Sequence, residues 1–386
     1  MDGSVRVIGV VGGGQLARMM QPAAIGLGLR LRLLAEMAGS SAAQVIPDAV
    51  VGDYTDPETV ATFARGCDVI TFDHEHVPTA ILHSLEDAGI AVRPGPDALV
   101  HAQDKAVMRA RLGALGVPCP ANEVVPDAAA LIAFGDAHGW PVIAKTSRGG
   151  YDGKGVWKLA GPAEAAVPFD GLEGLRADAV VIAEEFVDFT RELSVLVARR
   201  PGGQAVVYPV SETVQTDGIC TATTTPAPGL RADQVRDLKA MALRIAAELG
   251  VVGVLAVELM EARDGRIVVN ELAMRPHNTG HWSIDGSVTS QFENHLRAVA
   301  DLPLGSTETL APVTVMVNVL GGSLGDLVAG LDDVFSHDPA VKVQLYGKDV
   351  VPGRKVGHVT AMGEDVEQTS ARAWRAARYL MGESDE

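Results

Sequence analysis

The sequence has few cysteines, few aromatic residues and no long hydrophobic run. Its three cysteines, Cys67, Cys119 and Cys220, form no CxxC pair and have no histidine spacing typical of zinc sites, so we expect free buried thiols. No stretch of eighteen consecutive apolar residues occurs, and the first residues do not have the layout of a signal peptide. These features predict a cytoplasmic globular protein that does not contact a membrane.

The chain also lacks an excess of basic residues. It contains 32 Lys+Arg against 49 Asp+Glu, and the resulting net charge of −17 argues against a nucleic-acid-binding surface. Anionic substrates would therefore need local clusters of positive charge. With 386 residues, of which 47% are hydrophobic, the chain is long enough for two or three packed units.

Three regions differ in their patterns, and together they predict a chain of α/β and α+β class. Residues 1–102 alternate apolar strands with helical patterns, which predicts a Rossmann-like parallel sheet. From residue 141 onward, short strands joined by tight turns predict an antiparallel α+β module, and we place its domain at 103–310 with a lid subdomain at about 120–190. Residues 311–386 predict a small β-rich domain closed by a helix, and a single connecting helix is expected over about 97–115.

A predicted β-hairpin brings two acidic residues face to face. If the hairpin turns at the two residues Asp264-Gly265, simple pairing puts Glu258 opposite Glu271. Facing carboxylates lie about 5 Å apart and repel, so a bridging cation would stabilise them. Mg²⁺ is commonly held by one or two carboxylates plus phosphates, and Asn270 offers a further oxygen. Alternatively, one glutamate pairs with an arginine or faces solvent.

A glycine-rich segment follows a predicted strand that ends at Lys145. Residues 149–155 read GGYDGKG, and such a loop can bring its backbone N–H groups close to an anion. The segment lacks the GxxxxGK[ST] spacing of a P-loop and links two strands, so a Walker-type NTPase is disfavoured. A lid over nucleotide phosphates fits better, and a plain surface turn is the alternative.

A second glycine motif lies between the first strand and a helix. Gly12, Gly14 and Ala17 match the dinucleotide-binding fingerprint, and Glu36 stands about twenty residues further on. A nicotinamide-dependent oxidoreductase is therefore an alternative. A ribonucleotide 5′-phosphate would use the same helix N-terminus, with Glu75 at the mouth of a later strand of the sheet.

Two basic groups follow turns marked by glycine or proline. Arg275 and His277 come directly after the hairpin, and Lys348, Arg354 and Lys355 lie in the C-terminal region. In so acidic a chain we interpret both groups as anion contacts, although either could be a solvated surface.

Several segments, in this order, resemble those of the carboxyaminoimidazole ribonucleotide synthetases, ATP-grasp ligases of bacterial and fungal purine biosynthesis. The segments are 12–16, 103–105, 149–155, 184–187, 270–281 and 352–358. The resemblance covers nearly the whole chain. It implies an ATP-grasp fold between the Rossmann-like domain and the small C-terminal domain, and a homodimer that uses small-molecule substrates.

The resemblance also implies residue roles. ATP would contact Lys105, Lys145, Gly150, Tyr151, Asp152, Gly153, Lys154, Gly155, Val156, Glu184, Glu185, Phe186, Val187, Glu192, Gln215, Asn270 and Glu271. Aminoimidazole ribonucleotide would contact Gly14, Gln15, Leu16, Glu75, Tyr151, Arg275, His277, Lys348, Arg354 and Lys355. Glu258 and Glu271 would hold Mg²⁺. The family usually has a histidine near Gln215, so a nucleotide contact there is expected to weaken modestly.

The reaction implied by the resemblance has two steps. A bicarbonate oxygen attacks the γ-phosphorus of ATP to give carboxyphosphate and ADP, and the amine of the ribonucleotide then takes the carboxyl group. Lys145, Asp152, Arg275 and His277 are the expected catalytic residues. Peptide-type ATP-grasp ligases, the formate-using glycinamide ribonucleotide transformylase and a non-catalytic nucleotide sensor are the competing functions.

Overall fold

The N-terminal region forms a parallel sheet, as the βα alternation predicts. The computed structural model describes residues 6–149, 155–171, 179–216 and 218–383. The strands of this sheet are β1 (Val7–Val11), β2 (Arg30–Ala35), β3 (Ala49–Val51), β4 (Val69–Phe72) and β5 (Ala91–Val92). Their order is β3-β2-β1-β4-β5, and all four pairings are parallel. The exposed edge strand β3 was not predicted, because its three residues are too few to give a pattern.

Helices cover both faces of this sheet and connect the later strands. They are α1 (Gln15–Leu27), α2 (Pro57–Ala64), α3 (Thr79–Asp87), α4 (Pro96–Gln103), α5 (Lys105–Ala114), α6 (Ala128–His138), α7 (Val167–Asp170), α8 (Ala232–Glu248), α9 (Ser283–Gly286), α10 (Gln291–Val299), α11 (Leu331–His337) and α12 (Val366–Met381). Short 3₁₀ turns occur at Pro162–Glu164 and Asn278–Gly280. Among the described residues, no helix combines the length and the apolar character needed to cross a bilayer.

The single helix predicted over 97–115 is wrong, because the chain forms α4 and α5 with a break at Asp104. Asp104 is extended, and its carboxylate accepts hydrogen bonds from the backbone N of Ala106 and Val107, which caps α5. Its other oxygen accepts a hydrogen bond from Arg148 Nε at 2.8 Å. The break makes Lys105 the first residue of α5, and the Lys105 N–H donates to the Ser147 carbonyl oxygen at 2.8 Å.

A small antiparallel sheet follows α5. Its strands are β6 (Asn122–Val125), β7 (Val142–Thr146), β8 (Val156–Leu159) and β9 (Val181–Glu185), in the order β6-β9-β7-β8. Helix α6 covers one face, where Leu131 and Phe134 pack on Val142 and Ala144. This sheet falls within the range predicted for the lid subdomain, whose boundaries stay a prediction.

The largest sheet has nine strands and extends into the C-terminal region. The strands are β10 (Phe189–Arg199), β11 (Ala205–Val207), β12 (Ser211–Thr216), β13 (Ile219–Thr225), β14 (Gly253–Ala262), β15 (Ile267–Ala273), β16 (Val313–Leu320), β17 (Lys342–Leu345) and β18 (Lys355–Gly363). Their order is β15-β14-β10-β12-β13-β16-β18-β17, with β11 paired to β10. Because β13 pairs with β16, the predicted C-terminal strands continue the central sheet and do not form a sheet of their own.

Candidate functional site

Two cavities open where the N-terminal sheet, the small sheet and the central sheet meet. The first has a volume of about 380 Å³ and lies between the carboxyl end of the parallel strands and the start of the segment after β15. Predicted residues in its lining are Gln15, Leu16, Glu75, Lys105, Glu258, Glu271, Arg275 and His277.

The second cavity lies between the small sheet and the central sheet and has a volume of about 340 Å³. Predicted residues in its lining are Lys105, Lys145, Val156, Glu184, Glu185, Phe186, Val187, Glu192, Gln215, Glu258, Asn270, Glu271, His277 and Lys355. Most of the described residues expected to contact ATP are therefore brought together here, although the sequence spreads them over more than 160 positions.

Four residues line both cavities and mark the junction between them: Lys105, Glu258, Glu271 and His277. Lys105 Nζ lies 3.0 Å from Glu271 Oε1, and His277 Nε2 lies 3.1 Å from Glu258 Oε1. Burial opposes the ionisation of Glu258, but the contact with His277, aided by the charges of Arg275 and Lys355, outweighs burial and lowers its pKa. Glu258 is therefore held as a carboxylate, and Glu271 lies beside it between the two cavities.

The predicted pairing of Glu258 with Glu271 is confirmed, but the loop and the strand that produce it differ from the prediction. The hairpin loop has three residues, since the Ala262 N–H donates to the Arg266 carbonyl oxygen at 2.8 Å. Gly265, the last loop residue, adopts a φ of 86°, which favours glycine. The longer loop shifts the register by one residue, and a β-bulge between Val269 and Glu271 shifts it back. The predicted two-residue turn is thus wrong.

Acidic side chains outnumber lysines in the lining of the second cavity, which contains Glu184, Glu185, Glu192, Glu258 and Glu271 against Lys105, Lys145 and Lys355. Burial, together with the charge of Glu258, raises the pKa of Glu192 to about 7. Glu192 Oε1 has Gln215 Nε2 at 3.5 Å as a hydrogen-bond donor. In the part of the chain that the structure describes, no three acidic, histidine or cysteine side chains converge as a ready-made metal site. A divalent cation held by Glu258 and Glu271 fits this charge distribution and would need phosphate oxygens to complete its coordination.

Lys145 is fixed on the other side of this cavity. Its Nζ lies 2.8 Å from Glu184 Oε2 and 3.3 Å from Asn270 Oδ1. Glu184 is 2% exposed; burial alone would raise its pKa, but Lys145 and Arg109 lower it to about 2. The ammonium group of Lys145 is therefore held in place beside Asn270.

Arg275 is fixed in the first cavity by Glu75. Arg275 Nε lies 2.7 Å from Glu75 Oε2, and the Met274 N–H donates to Glu75 Oε1 at 3.0 Å. Burial opposes the ionisation of Glu75, but the charge of Arg275 and its hydrogen bond lower the pKa. Glu75, predicted as a substrate contact, thus has Arg275 of the same cavity as its ion-pair partner.

Comparison with known proteins shows to which family this chain belongs. The chain is 50% identical over 378 residues to the N5-carboxyaminoimidazole ribonucleotide synthase of Mycobacterium tuberculosis, covering 97% of this chain and 87% of that protein. The chain belongs to the N5-carboxyaminoimidazole ribonucleotide synthase family. The synthase of Corynebacterium ammoniagenes is also 50% identical, covering 97% of this chain and 92% of that protein.

Domain models and solved structures agree with this assignment to the synthase family. Residues 5–103 match a ribonucleotide synthetase preATP-grasp domain, 110–292 an ATP-grasp domain and 314–372 a phosphoribosylaminoimidazole carboxylase C-terminal domain. The Thermus thermophilus synthetase structure is 35% identical with a TM-score of 0.85, covering 98% of this chain and 99% of that one. An Aspergillus clavatus synthase in complex with ADP and 5-aminoimidazole ribonucleotide is 28% identical with a TM-score of 0.86, covering 98% of this chain and 99% of that one.

Part of the predicted lid lies outside the described residues. The residues of the lid that were predicted to contact the synthase substrates and that lie outside the described part are Gly150, Tyr151, Asp152, Gly153 and Lys154. On either side of them, Gly149 lines the first cavity and Val156 lines the second. The ends of the loop therefore reach both cavities, and the roles predicted for its centre stay predictions.

The glycine loop after β1 is occupied by carboxylates of the same chain. Asp73 accepts hydrogen bonds from the backbone N of Gly14 at 3.1 Å and of Ala17 at 2.7 Å. Glu36 accepts one from Gly13 N at 3.0 Å, and the hydrogen bond from His74 lowers its pKa to about 2. The donors that a dinucleotide would use are therefore already bonded, which argues against the oxidoreductase alternative. Gly14 packs on Asp73 and does not line the first cavity.

The C-terminal basic residues divide between three positions. Lys348 Nζ donates a hydrogen bond to Gln15 Oε1, and Gln15 lines the first cavity, although Lys348 itself, also a described residue, does not. Lys355 was predicted to contact the ribonucleotide, but it lines the second cavity. Arg354 is not among the described residues that line either cavity. The three residues are close in sequence, but the turn at Gly353 (φ 76°) lies between Lys348 and the other two, and Lys355 begins β18.

Sequence reasoning missed several residues at the site. Asp73, His74 and Arg148 line the first cavity, and Thr279 lines the second. Asp73 and His74 adjoin Glu75 at the end of β4, so their position after a buried strand was a usable signal. Arg148 had no comparable signal, because its place depends on the break between α4 and α5.

Proposed function

We propose that this chain catalyses the ATP- and bicarbonate-dependent carboxylation of 5-aminoimidazole ribonucleotide to N5-carboxyaminoimidazole ribonucleotide, a step of purine biosynthesis. The observation that supports the proposal is the junction of two cavities at Lys105, Glu258, Glu271 and His277. A nucleotide in the second cavity and a ribonucleotide in the first would direct the γ-phosphate and the amine toward the same four side chains. The names of the relatives point to the same reaction.

The second cavity would carry out phosphoryl transfer. Its walls supply Phe186 and Val187 for apolar contact with a nucleobase, and Glu192 and Gln215 for hydrogen bonds. Glu258 and Glu271 would hold Mg²⁺, which neutralises charge on the transferred phosphoryl group. Lys145, fixed between Glu184 and Asn270, adds a positive charge on the opposite side. A bicarbonate oxygen attacks the γ-phosphorus, the bond to ADP breaks and carboxyphosphate forms.

The first cavity would hold the acceptor. Gln15, Arg275 and His277 supply donors for an anionic ribonucleotide, and Lys348 adds positive charge next to Gln15. The exocyclic amine attacks the carboxyl carbon of carboxyphosphate, the carbon–oxygen bond to phosphate breaks, and the proton lost by the amine passes to the departing phosphate. We assign Asp152 to orienting the amine. Carboxyphosphate hydrolyses easily, so the loop over 149–155 would close before the transfer.

An acceptor screen tests the proposed function directly. We expect ADP release to depend on 5-aminoimidazole ribonucleotide and bicarbonate together, and to stay at background with glycinamide ribonucleotide and formate. The measurement is a coupled ADP assay with each substrate omitted in turn. ADP release that requires formate would favour the transformylase, while nucleotide binding without turnover on either acceptor would favour a nucleotide sensor.

We also propose that the enzyme is a homodimer, as its family resemblance implies, and that it works in the cytoplasm, where ATP and its ribonucleotide substrate occur. Light scattering coupled to gel filtration should give twice the chain mass of 40.3 kDa. A mass equal to one chain across the micromolar range would contradict the dimer.

A further inference from the structure

A buried arginine contacts the nucleotide half of the site from behind. Arg109, on α5, is 3% exposed and is absent from the described residues that line the two cavities. Its Nε donates to Glu184 Oε1 at 2.6 Å, its Nη1 to the Val269 carbonyl oxygen at 2.9 Å and its Nη2 to the Asn270 carbonyl oxygen at 2.8 Å. One planar guanidinium thus bonds a carboxylate and two successive backbone carbonyls.

Those two carbonyls lie at the β-bulge of β15. Val269 pairs with Leu259 and Glu271 pairs with Glu258, so Asn270 has no partner on β14. A bulge interrupts the hydrogen-bond ladder, and buried carbonyls need other donors. Arg109 provides these donors at the position where the register shift turns Glu271 toward Glu258.

The third bond of Arg109 extends to the opposite wall of the second cavity. Glu184 accepts from Arg109 with one oxygen and lies 2.8 Å from Lys145 Nζ with the other. Lys145 Nζ in turn donates to Asn270 Oδ1 at 3.3 Å. Arg109, Glu184, Lys145 and Asn270 therefore form a closed ring of hydrogen bonds behind the second cavity.

We propose that Arg109 is a positioning residue for the nucleotide: it fixes the bulge that directs Asn270 and Glu271 into the second cavity, and it fixes Glu184, which orients Lys145. This inference rests on the proposed function. The guanidinium is required because its rigid fork donates in several directions at once, whereas a lysine ammonium is a compact charge on a flexible stem.

Substitution of Arg109 should weaken nucleotide binding and leave acceptor binding nearly unchanged. We expect Arg109→Lys to raise the Kd for Mg·ADP and the KM for ATP by about tenfold, since lysine can pair with Glu184 but cannot also bond both carbonyls. The KM for 5-aminoimidazole ribonucleotide should change by less than about twofold, because Glu75 and Lys348 hold the first cavity independently of Arg109. Calorimetry with Mg·ADP and steady-state kinetics give the two readouts.

Arg111→Met is the matched control on the same helix. Arg111 is partly exposed, bonds only Glu248 in α8 and lines neither cavity in the described part of the chain. The Arg111→Met variant should bind Mg·ADP with the affinity of the wild type. Arg109→Met has a side chain of similar volume but no charge, so it should lose more affinity for Mg·ADP than Arg109→Lys. If Arg109→Met does not fold, Arg109→Lys alone tests the proposal.

Three results would overturn the proposal: unchanged Mg·ADP affinity in the lysine variant, equal loss of affinity for both substrates, or loss of thermal stability alone. If Arg109 only balanced the charge of Glu184, lysine would preserve both affinities. Mg·ADP binding requires no acceptor, so a failure of the carboxylation assay in the wild type would count against the proposed function and not against the role of Arg109.

Discussion

We expect Glu271→Gln to abolish bicarbonate-dependent ADP release while leaving the fold intact. Glu271 lines both cavities, faces Glu258 across the hairpin and lies 3.0 Å from Lys105 Nζ. Glutamine keeps the shape of the side chain but removes the negative charge that would hold a divalent cation. A loss of about 10³-fold in kcat is expected, equivalent to about 4 kcal/mol of transition-state stabilisation. Coupled ADP release measures the rate, and circular dichroism tests the fold.

A magnesium titration distinguishes a ligand from a simple partner of Lys105. If Glu271 binds the cation, raising the Mg²⁺ concentration should restore part of the lost rate; if it only pairs with Lys105, added Mg²⁺ should have no effect. Glu123→Gln is the control, because Glu123 is exposed on β6 and lines neither cavity among the described residues. Near-normal turnover of Glu271→Gln would remove the metal assignment.

The sequence predicted the hairpin pair correctly although its local geometry was wrong. Pairing across Asp264-Gly265 assumes a two-residue turn, while the chain uses a three-residue loop and then a bulge at Asn270. The loop and the bulge displace the register by one residue in opposite directions, so their effects cancel at Glu258 and Glu271. The alternation of side chains along a strand predicts which residues share a face, but not the presence of a bulge, which here depends on donors from α5.

Local patterns predicted elements well and long-range partners poorly. The βα alternation was sufficient for the parallel sheet, because both depend on neighbouring residues. The bonds of Arg109 join positions separated by 75, 160 and 161 residues, and no periodicity contains such information. The break at Asp104 depends likewise on Arg148, and the extension of the central sheet by β16 depends on pairing with β13.

We expect the protein to lose stability below pH 6.5 because three buried histidines are held neutral. His295 Nδ1 accepts from the Val254 N–H at 3.2 Å, so its Nε2 donates to Thr71 Oγ1 at 2.8 Å and joins the N-terminal sheet to the central sheet. His358 has Tyr346 Oη at 2.7 Å, and its ring stacks on His281. Burial lowers the pKa of His295 and of His358 to about 3, and burial with the nearby His358 lowers that of His281 well below its usual value.

The unfolded chain takes up more protons than the folded chain as the pH falls, so the free energy of unfolding decreases. In the unfolded state each imidazole binds a proton near pH 6.5, whereas in the folded state His295 and His358 do not until about pH 3 and His281 does so only well below its usual pKa. This stability is therefore complete well above pH 6.5 and is lost as the pH falls. At pH 5.5 the loss is roughly 1.4 kcal/mol for each histidine. The raised pKa of Glu192, caused by burial and Glu258, acts in the opposite direction and offsets part of the loss.

A single substitution isolates the contribution of one histidine. Glutamine at position 295 does not titrate and offers both a donor and an acceptor, so His295→Gln should reduce the loss between pH 7.5 and 5.5 by about 1.4 kcal/mol. Urea unfolding at each pH measures the free energy of unfolding. His337→Gln, at an exposed position on α11, should keep the wild-type profile. An equal loss in the wild type and in His295→Gln would show that protonation of this buried ring does not destabilise the fold.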